Sequence, residues 1–96
     1  MMSREQESIL GEIRRERDRQ DARWGGPVYD DQHLPEHWVT KLAGRLGGVA
    51  EFRSNATLCR MYLVELAALT VAALEAHDRR HRHHALRQLA TDAGTT

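Results

Sequence analysis

Cysteine and net charge are both scarce in this sequence. The one cysteine, Cys59, excludes a disulfide framework or a cysteine-based zinc site within one chain, and it favours a reducing compartment. The 14 side chains of lysine and arginine are balanced by 14 of aspartate and glutamate, so no excess charge attracts nucleic acid or an anionic membrane. We therefore expect a cytoplasmic protein without a nucleic-acid partner.

Long uninterrupted apolar runs are absent as well. The longest, residues 61–76, contains Glu65 and is shorter than the ~20 residues that a membrane span requires. The N-terminal MMSREQES lacks the apolar stretch of a signal peptide. The sequence predicts a soluble domain that is not inserted in a membrane.

Three helices are predicted, and no strand. Ser3 and Gln6 form a capping-box pattern at the start of the first helix, which ends near Trp24 where two glycines and a proline follow. Apolar residues of the second helix recur at a helical period: Trp38, Leu42, Leu46 and Val49. The whole chain, 1–96, is predicted to be a single helical domain, with GGPVYDDQHLP as a loop, helices at about 3–24, 36–53 and 56–89, and a flexible tail at about 90–96.

The third predicted helix is apolar nearly all round over residues 61–76, as expected of a helix that packs on several sides. A chain of 96 residues buries little more than ~60% of the surface that its unfolded form exposes. Two neighbouring helices do not easily enclose such a helix, whereas association of chains does. We expect an all-α bundle completed by oligomerisation, as a homodimer or homotetramer.

The second helix carries three glycines, Gly44, Gly47 and Gly48, although each costs roughly 0.5–1 kcal/mol relative to alanine inside a helix. Gly44 and Gly48 have a GxxxG spacing, which leaves a strip of helix with almost no side chain. Another helix or a flat ligand can approach such a strip closely. Both interpretations remain open at this point.

Three segments of the chain resemble the small MazG-like all-α nucleotide pyrophosphohydrolases found in phages and prophages; they are ERDRQDARWG, HWVTKLAGRLGGVAEF and YLVELAALTVAALEAHDRR. The resemblance covers about residues 12–80 and implies a MazG-like three-helix unit. In that family an EExxE pattern on one helix and ExxD on the next bind magnesium ions. These ions bridge the phosphates of a nucleotide and help to activate water.

The positions that match the family's acids are Gly44, Arg45, Gly48, Tyr62 and Glu65. Four of the five acids are therefore missing. Arg45 also places a fixed positive charge where the resemblance implies a divalent cation. We predict that these five residues form a binding or interaction site without a metal or other cofactor, and that Arg45 pairs with Glu65.

The favoured interpretation is a non-catalytic MazG-like protein that acts by binding. It would inhibit or regulate a host protein, or sequester a nucleotide without hydrolysing it. The alternative is an active, magnesium-dependent nucleoside triphosphate pyrophosphohydrolase whose ligands are relocated to Glu36, Glu51 and Glu65 or come from a partner chain. Whether the protein is an enzyme stays open, with the non-catalytic interpretation preferred.

Histidines form a separate set of candidates. His33 and His37 have the i, i+4 spacing of a transition-metal chelate, but Pro35 lies between them, so capping and surface roles are the plainer interpretation. A second cluster, with arginines around it, is expected to be a solvated basic helix end; it contains His77, His81, His83 and His84.

The remaining expectations concern packing. Trp24 and Trp38 are expected to anchor the core rather than to stack on a nucleobase. The charged run RRERDRQDAR, residues 14–23, is expected to be a solvated helix face. Glu65, as a buried acid, is expected to pair with Tyr62 or with an arginine.

Overall fold

A computed structural model describes residues 1–94, which form four helices. Their bounds are α1 Arg4–Trp24, α2 Gly26–Asp31, α3 Pro35–Glu51 and α4 Ala56–Gly94. No strand occurs within residues 1–94, and the predicted all-α class is confirmed. The first, second and third predicted helices correspond to α1, α3 and α4.

The capping signals act where the sequence places them. Ser3 Oγ accepts a hydrogen bond from the Gln6 backbone N–H at 3.2 Å, and Gln6 Oε1 accepts one from the Ser3 N–H at 3.0 Å, which completes the capping box of α1. Asn55 caps α4 by accepting from the Leu58 N–H at 3.1 Å. Pro35 lies in the first turn of α3, where its missing N–H has no intrahelical partner to lose.

The segment predicted to be a loop contains the short helix α2. Gly25 has a φ of 106°, which ends α1, and Gly26 has a φ of 66°, so the chain turns directly into the next helix. Pro27 lies in the first turn of α2, but no side chain caps this helix. It is stabilised from outside, for example by an ion pair between Asp31 and Arg79. A helix of this length depends on tertiary contacts that a local pattern does not reveal.

Helix α4 extends to Gly94, beyond the end predicted near Leu89. Residues 90–94, predicted as part of a flexible tail, belong to the helix because no glycine or proline interrupts the sequence before Gly94. Thr95 and Thr96 lie outside the described residues. With 39 residues, α4 is about 58 Å long, close to the 62 Å longest dimension of the molecule.

Helices α3 and α4 form an antiparallel hairpin through the turn at residues 52–55. Trp38, near the start of α3, packs in a cluster with Leu69 and Ala76 of α4, whereas Gly48, near the end of α3, meets Tyr62. The buried apolar residues are Trp38, Ala68, Leu69, Ala72 and Ala76. Trp38 is thus a core anchor as predicted, and Trp24 packs partly buried against the same cluster.

Large apolar side chains remain exposed on the outer face of α3. Val39 is 65% exposed and Leu46 is 57% exposed, and exposed Ala43 and Ala50 lie on the same side at i, i+4, i+7 and i+11 spacing. We call these four residues the α3 apolar stripe. It lies outside the apolar core cluster of residues 1–94.

Helix α4 is long and apolar enough over Ala56–Ala93 to cross a membrane, by length and composition alone. The core helix of a soluble protein meets the same two criteria. The expectation of a soluble protein therefore stays a prediction.

Candidate functional site

Arg45 of α3 and Glu65 of α4 form the ion pair that the sequence predicts. The distance from Arg45 Nε to Glu65 Oε2 is 3.7 Å, and the side chains are 31% and 21% exposed. The separation is too long for a hydrogen bond, and Arg45 Nε has no hydrogen-bond partner within residues 1–94. Partial solvent screening limits the direct contribution of such a pair to stability to about 0–1 kcal/mol. The Glu65 carboxylate nevertheless has a guanidinium as its positive neighbour.

The ring of Tyr62 lies directly on Gly48, which is buried. A Cβ atom at Gly48 would be 2.5 Å from Tyr62 Cδ1 and 2.6 Å from Cε1, far inside van der Waals contact. The Tyr62 ring also stacks on Phe52, with ring centroids 5.7 Å apart and planes inclined by 3°. Gly48 is therefore required by close helix packing, the first of the two interpretations of the glycine strip.

The other glycines have no such role in the chain. Apart from the adjacent residues and the backbone of α3 itself, no atom of residues 1–94 lies within 4 Å of the position that a Cβ would take at Gly44 or at Gly47, and both residues are exposed. Helix α4 does not approach Gly44 or Gly47 closely in the described chain, so close approach of another chain or of a ligand at these two positions stays a prediction. Only the second glycine of the GxxxG pair supports the hairpin.

The relocated acids of the alternative interpretation are not brought together in one chain. Glu36 lies in the first turn of α3 and Glu51 at its last residue, and both are exposed. They are separated by about 22 Å along the helix axis, which is too far for one metal ion. Within residues 1–94 no three side chains of His, Cys, Asp or Glu are placed to hold a metal ion together.

His33 and His37 lie near each other but serve local structure. Their ring centroids are 5.7 Å apart with planes inclined by 82°. His33 Nδ1 lies 2.9 Å from the Tyr29 carbonyl oxygen, and His37 Nδ1 accepts from the Leu34 N–H at 3.4 Å at the start of α3. His33 precedes α3, as the position of Pro35 predicts.

The second histidine cluster lies on the C-terminal half of α4. All four side chains are exposed in the structure, in agreement with the predicted solvated helix end; they are His77, His81, His83 and His84.

A buried polar centre around Arg17 was not predicted. Arg17 is 9% exposed, and its Nη1 lies 2.7 Å from Asp21 Oδ1. Its Nε donates to Glu75 Oε1 at 3.2 Å, and its Nη2 lies 3.7 Å from Asp30 Oδ2. The prediction of a fully solvated charged run is wrong, since Gln20 of that run is also buried.

The electrostatics of this centre favour a charged arginine. Burial opposes the charge of Arg17, but the hydrogen bond to Asp21 and the nearby carboxylates of Asp21 and Glu75 outweigh it and raise the pKa of Arg17. Burial raises the pKa of Asp30, and the Arg17 charge offsets this only in part. Arg17 thus joins three helices through charge.

Further polar contacts link α1 to α4. Arg60 donates two hydrogen bonds to Glu12, at 2.7 Å and 2.6 Å, and the hydrogen bond from Arg60 lowers the pKa of the Glu12 carboxyl. Gln20 Nε2 approaches the backbone carbonyl of Glu65 at 3.5 Å. Together with Arg17, these contacts hold α1 against α4.

The chemical groups of the α3–α4 site are one carboxylate paired with a guanidinium, beside a packed tyrosine ring.

Comparison of the chain with protein-family models, with curated proteins and with solved structures finds no match.

Proposed function

We propose that this protein is a non-catalytic helical protein that acts by binding, on a MazG-like scaffold whose metal site is lost. The observation that carries the proposal is the Arg45–Glu65 ion pair between α3 and α4. Magnesium requires several oxygen ligands in octahedral geometry. One carboxylate that faces a permanently charged guanidinium does not meet this requirement.

Self-association is the second part of the proposal. The chain exposes 7366 Å², whereas a monomeric protein of 11.0 kDa typically exposes about 5,600 Å². The excess of about 1,700 Å² is larger than the ~800 Å² that each partner contributes to a standard interface. A second copy of this chain, seated on the α3 apolar stripe, accounts for part of that excess. A host protein or an unhydrolysed nucleotide is the further partner that the MazG-like resemblance suggests.

The proposal predicts no pyrophosphohydrolase activity. Incubation with a panel of nucleoside triphosphates and magnesium is expected to release no monophosphate or pyrophosphate above the buffer background, because the α3–α4 site lacks the ligands for magnesium. Turnover that Glu65→Ala abolishes would contradict the proposal.

A variant designed to gain magnesium binding makes this test more specific. Arg45→Glu puts a second carboxylate beside Glu65, so millimolar magnesium is expected to raise the melting temperature of this variant but not that of the wild type. Arg53→Glu, at an exposed position just after α3, is the matched charge control. A wild-type protein stabilised by magnesium as strongly as Arg45→Glu would argue against the lost site.

Light scattering tests the association. We expect a dimer or larger assembly at micromolar concentration and a shift toward monomer in Leu46→Glu, because a charge on the α3 apolar stripe must be desolvated at the interface. Val28→Glu is the control, since Val28 is 72% exposed on α2, away from the stripe. A monomeric wild type, or equal dissociation by both variants, would refute the interface.

A further inference from the structure

A groove of about 630 Å³ lies between the α2–α3 junction and the C-terminal half of α4. It arises because α3 begins at Pro35, next to the Trp38 and Ala76 end of the core, whereas α4 continues to Gly94. Its volume is within the range of small-molecule sites. Four residues of α4 line it at helical spacing and are called the α4 basic stripe: Arg80, His83, His84 and Arg87.

The acids on the opposite wall of the groove already have cationic partners. Asp31 accepts hydrogen bonds from Arg79 Nε at 2.9 Å and 3.2 Å. Asp30 lies beside Arg17, with 3.7 Å between Asp30 Oδ2 and Arg17 Nη2. The wall that faces the α4 basic stripe therefore supplies little free negative charge.

Within residues 1–94, the α4 basic stripe itself has no carboxylate partner. Arg80 Nη2 donates to the backbone carbonyl of His33 at 3.2 Å, which leaves its charge uncompensated. The side chains of His83, His84 and Arg87 form no hydrogen bond or ion pair with the described part of the chain. These groups line a concave surface, and together they present unpaired donors to it.

The spacing of the stripe indicates an extended anion. Arg80 and Arg87 are about 10 Å apart along the helix, with His83 and His84 between them, so a single phosphate group cannot contact both ends. Guanidinium forks bind phosphate oxygens in bidentate fashion. We propose that this groove binds a chain of two or three phosphate groups, free or attached to a nucleoside.

The proposal does not depend on whether the α3–α4 site binds a metal ion. Glu65 lies about 22 Å before Arg80 along α4, and the phosphate chain is expected to bind without magnesium. If triphosphate does not bind, the non-catalytic proposal for the α3–α4 site still stands. Conversely, nucleotide hydrolysis that depends on Glu65 would contradict the non-catalytic proposal but not the proposal for this groove. The two proposals are therefore tested by separate measurements.

Calorimetric titration of the full chain with inorganic triphosphate, without magnesium and at low ionic strength, tests the groove. The double variant Arg80→Gln and Arg87→Gln is expected to weaken the affinity at least about tenfold. The matched control is Arg53→Gln with Arg14→Gln, because Arg53 also donates to a backbone carbonyl and both arginines are exposed. The control is expected to change the affinity less than about twofold, with unchanged circular dichroism in both double variants.

Repeating the titration with ATP separates the two sources of the phosphate chain. Tighter binding of ATP than of triphosphate, with a change in tryptophan fluorescence that Trp38→Phe removes, assigns the site to a nucleotide. Equal or weaker binding of ATP assigns it to the phosphate chain alone. No binding of either ligand, equal loss in the control pair, or equally tight binding of inorganic monophosphate would overturn the proposal.

Discussion

Replacing Arg17 with methionine is expected to lower the free energy of unfolding by about 3 kcal/mol. Methionine fills similar space but leaves the buried Asp30 carboxylate, 7% exposed, without a positive neighbour on α1. The cost lies at the lower end of the usual range for a broken buried pair, because Asp21 and Glu75 are 34% and 47% exposed and recover part of their hydration.

Urea denaturation followed by circular dichroism measures this effect. Arg14→Met is the control, because Arg14 belongs to the same charged run but is exposed, and it should stay within about 0.5 kcal/mol of the wild type. Arg17→Lys keeps the charge without the planar fork and should fall between the two. If Arg17→Met and Arg14→Met are equally stable, Arg17 does not anchor the three helices.

The pair Gly48→Ala and Gly44→Ala is expected to change stability in opposite directions. Alanine at Gly48 gains about 1 kcal/mol of helix propensity, but its Cβ forces the Tyr62 ring aside, at an overpacking cost of about 2 kcal/mol. Alanine at Gly44 meets nothing within 4 Å and keeps the full gain. The two variants, one helical turn apart, should therefore differ by about 2 kcal/mol in the free energy of unfolding.

Urea denaturation, with the same dependence of the free energy of unfolding on urea concentration in both variants, checks the difference in stability. A double variant assigns its cause. Tyr62→Leu removes the ring that blocks the new Cβ, so Gly48→Ala should cost less in that background than in the wild type. Gly47→Ala, also in open space, should behave like Gly44→Ala. Stabilisation by Gly48→Ala would mean that the Tyr62 ring does not lie on the α3 backbone.

The three longer helices were predictable because each has a local signal. The Ser3 and Gln6 capping box starts α1, and the apolar period around Trp38 marks α3. The short α2 was missed because its sequence, GPVYDD, has the composition of a turn. Its helical conformation depends on contacts such as Asp31 with Arg79, whose partners lie 48 positions apart.

The Arg45–Glu65 pair was predictable only because the resemblance to MazG-like proteins pointed to these positions on two consecutive helices. Arg45 and Glu65 meet because both lie on facing sides of consecutive antiparallel helices. Gly44 and Gly48 are indistinguishable by spacing, and only the placement of the Tyr62 ring separates them. The burial of Arg17 depends on Glu75, which is 58 positions away. The local sequence of the charged run therefore does not show whether its arginine is exposed or buried.

The charged attachment of α1 implies that the molecule does not open as a unit. The α3–α4 hairpin coheres through Trp38 and its apolar neighbours, and Trp24 at the end of α1 packs against the same cluster. The N-terminal half of α1 is instead linked to α4 through the exposed pair of Glu12 and Arg60. Ionic screening weakens such an exposed pair, but it has little effect on the apolar cluster or on the buried contacts of Arg17. Backbone amides in the N-terminal half of α1 should then exchange with deuterium by a subglobal route that salt accelerates, whereas those around Leu69 should exchange only on complete unfolding.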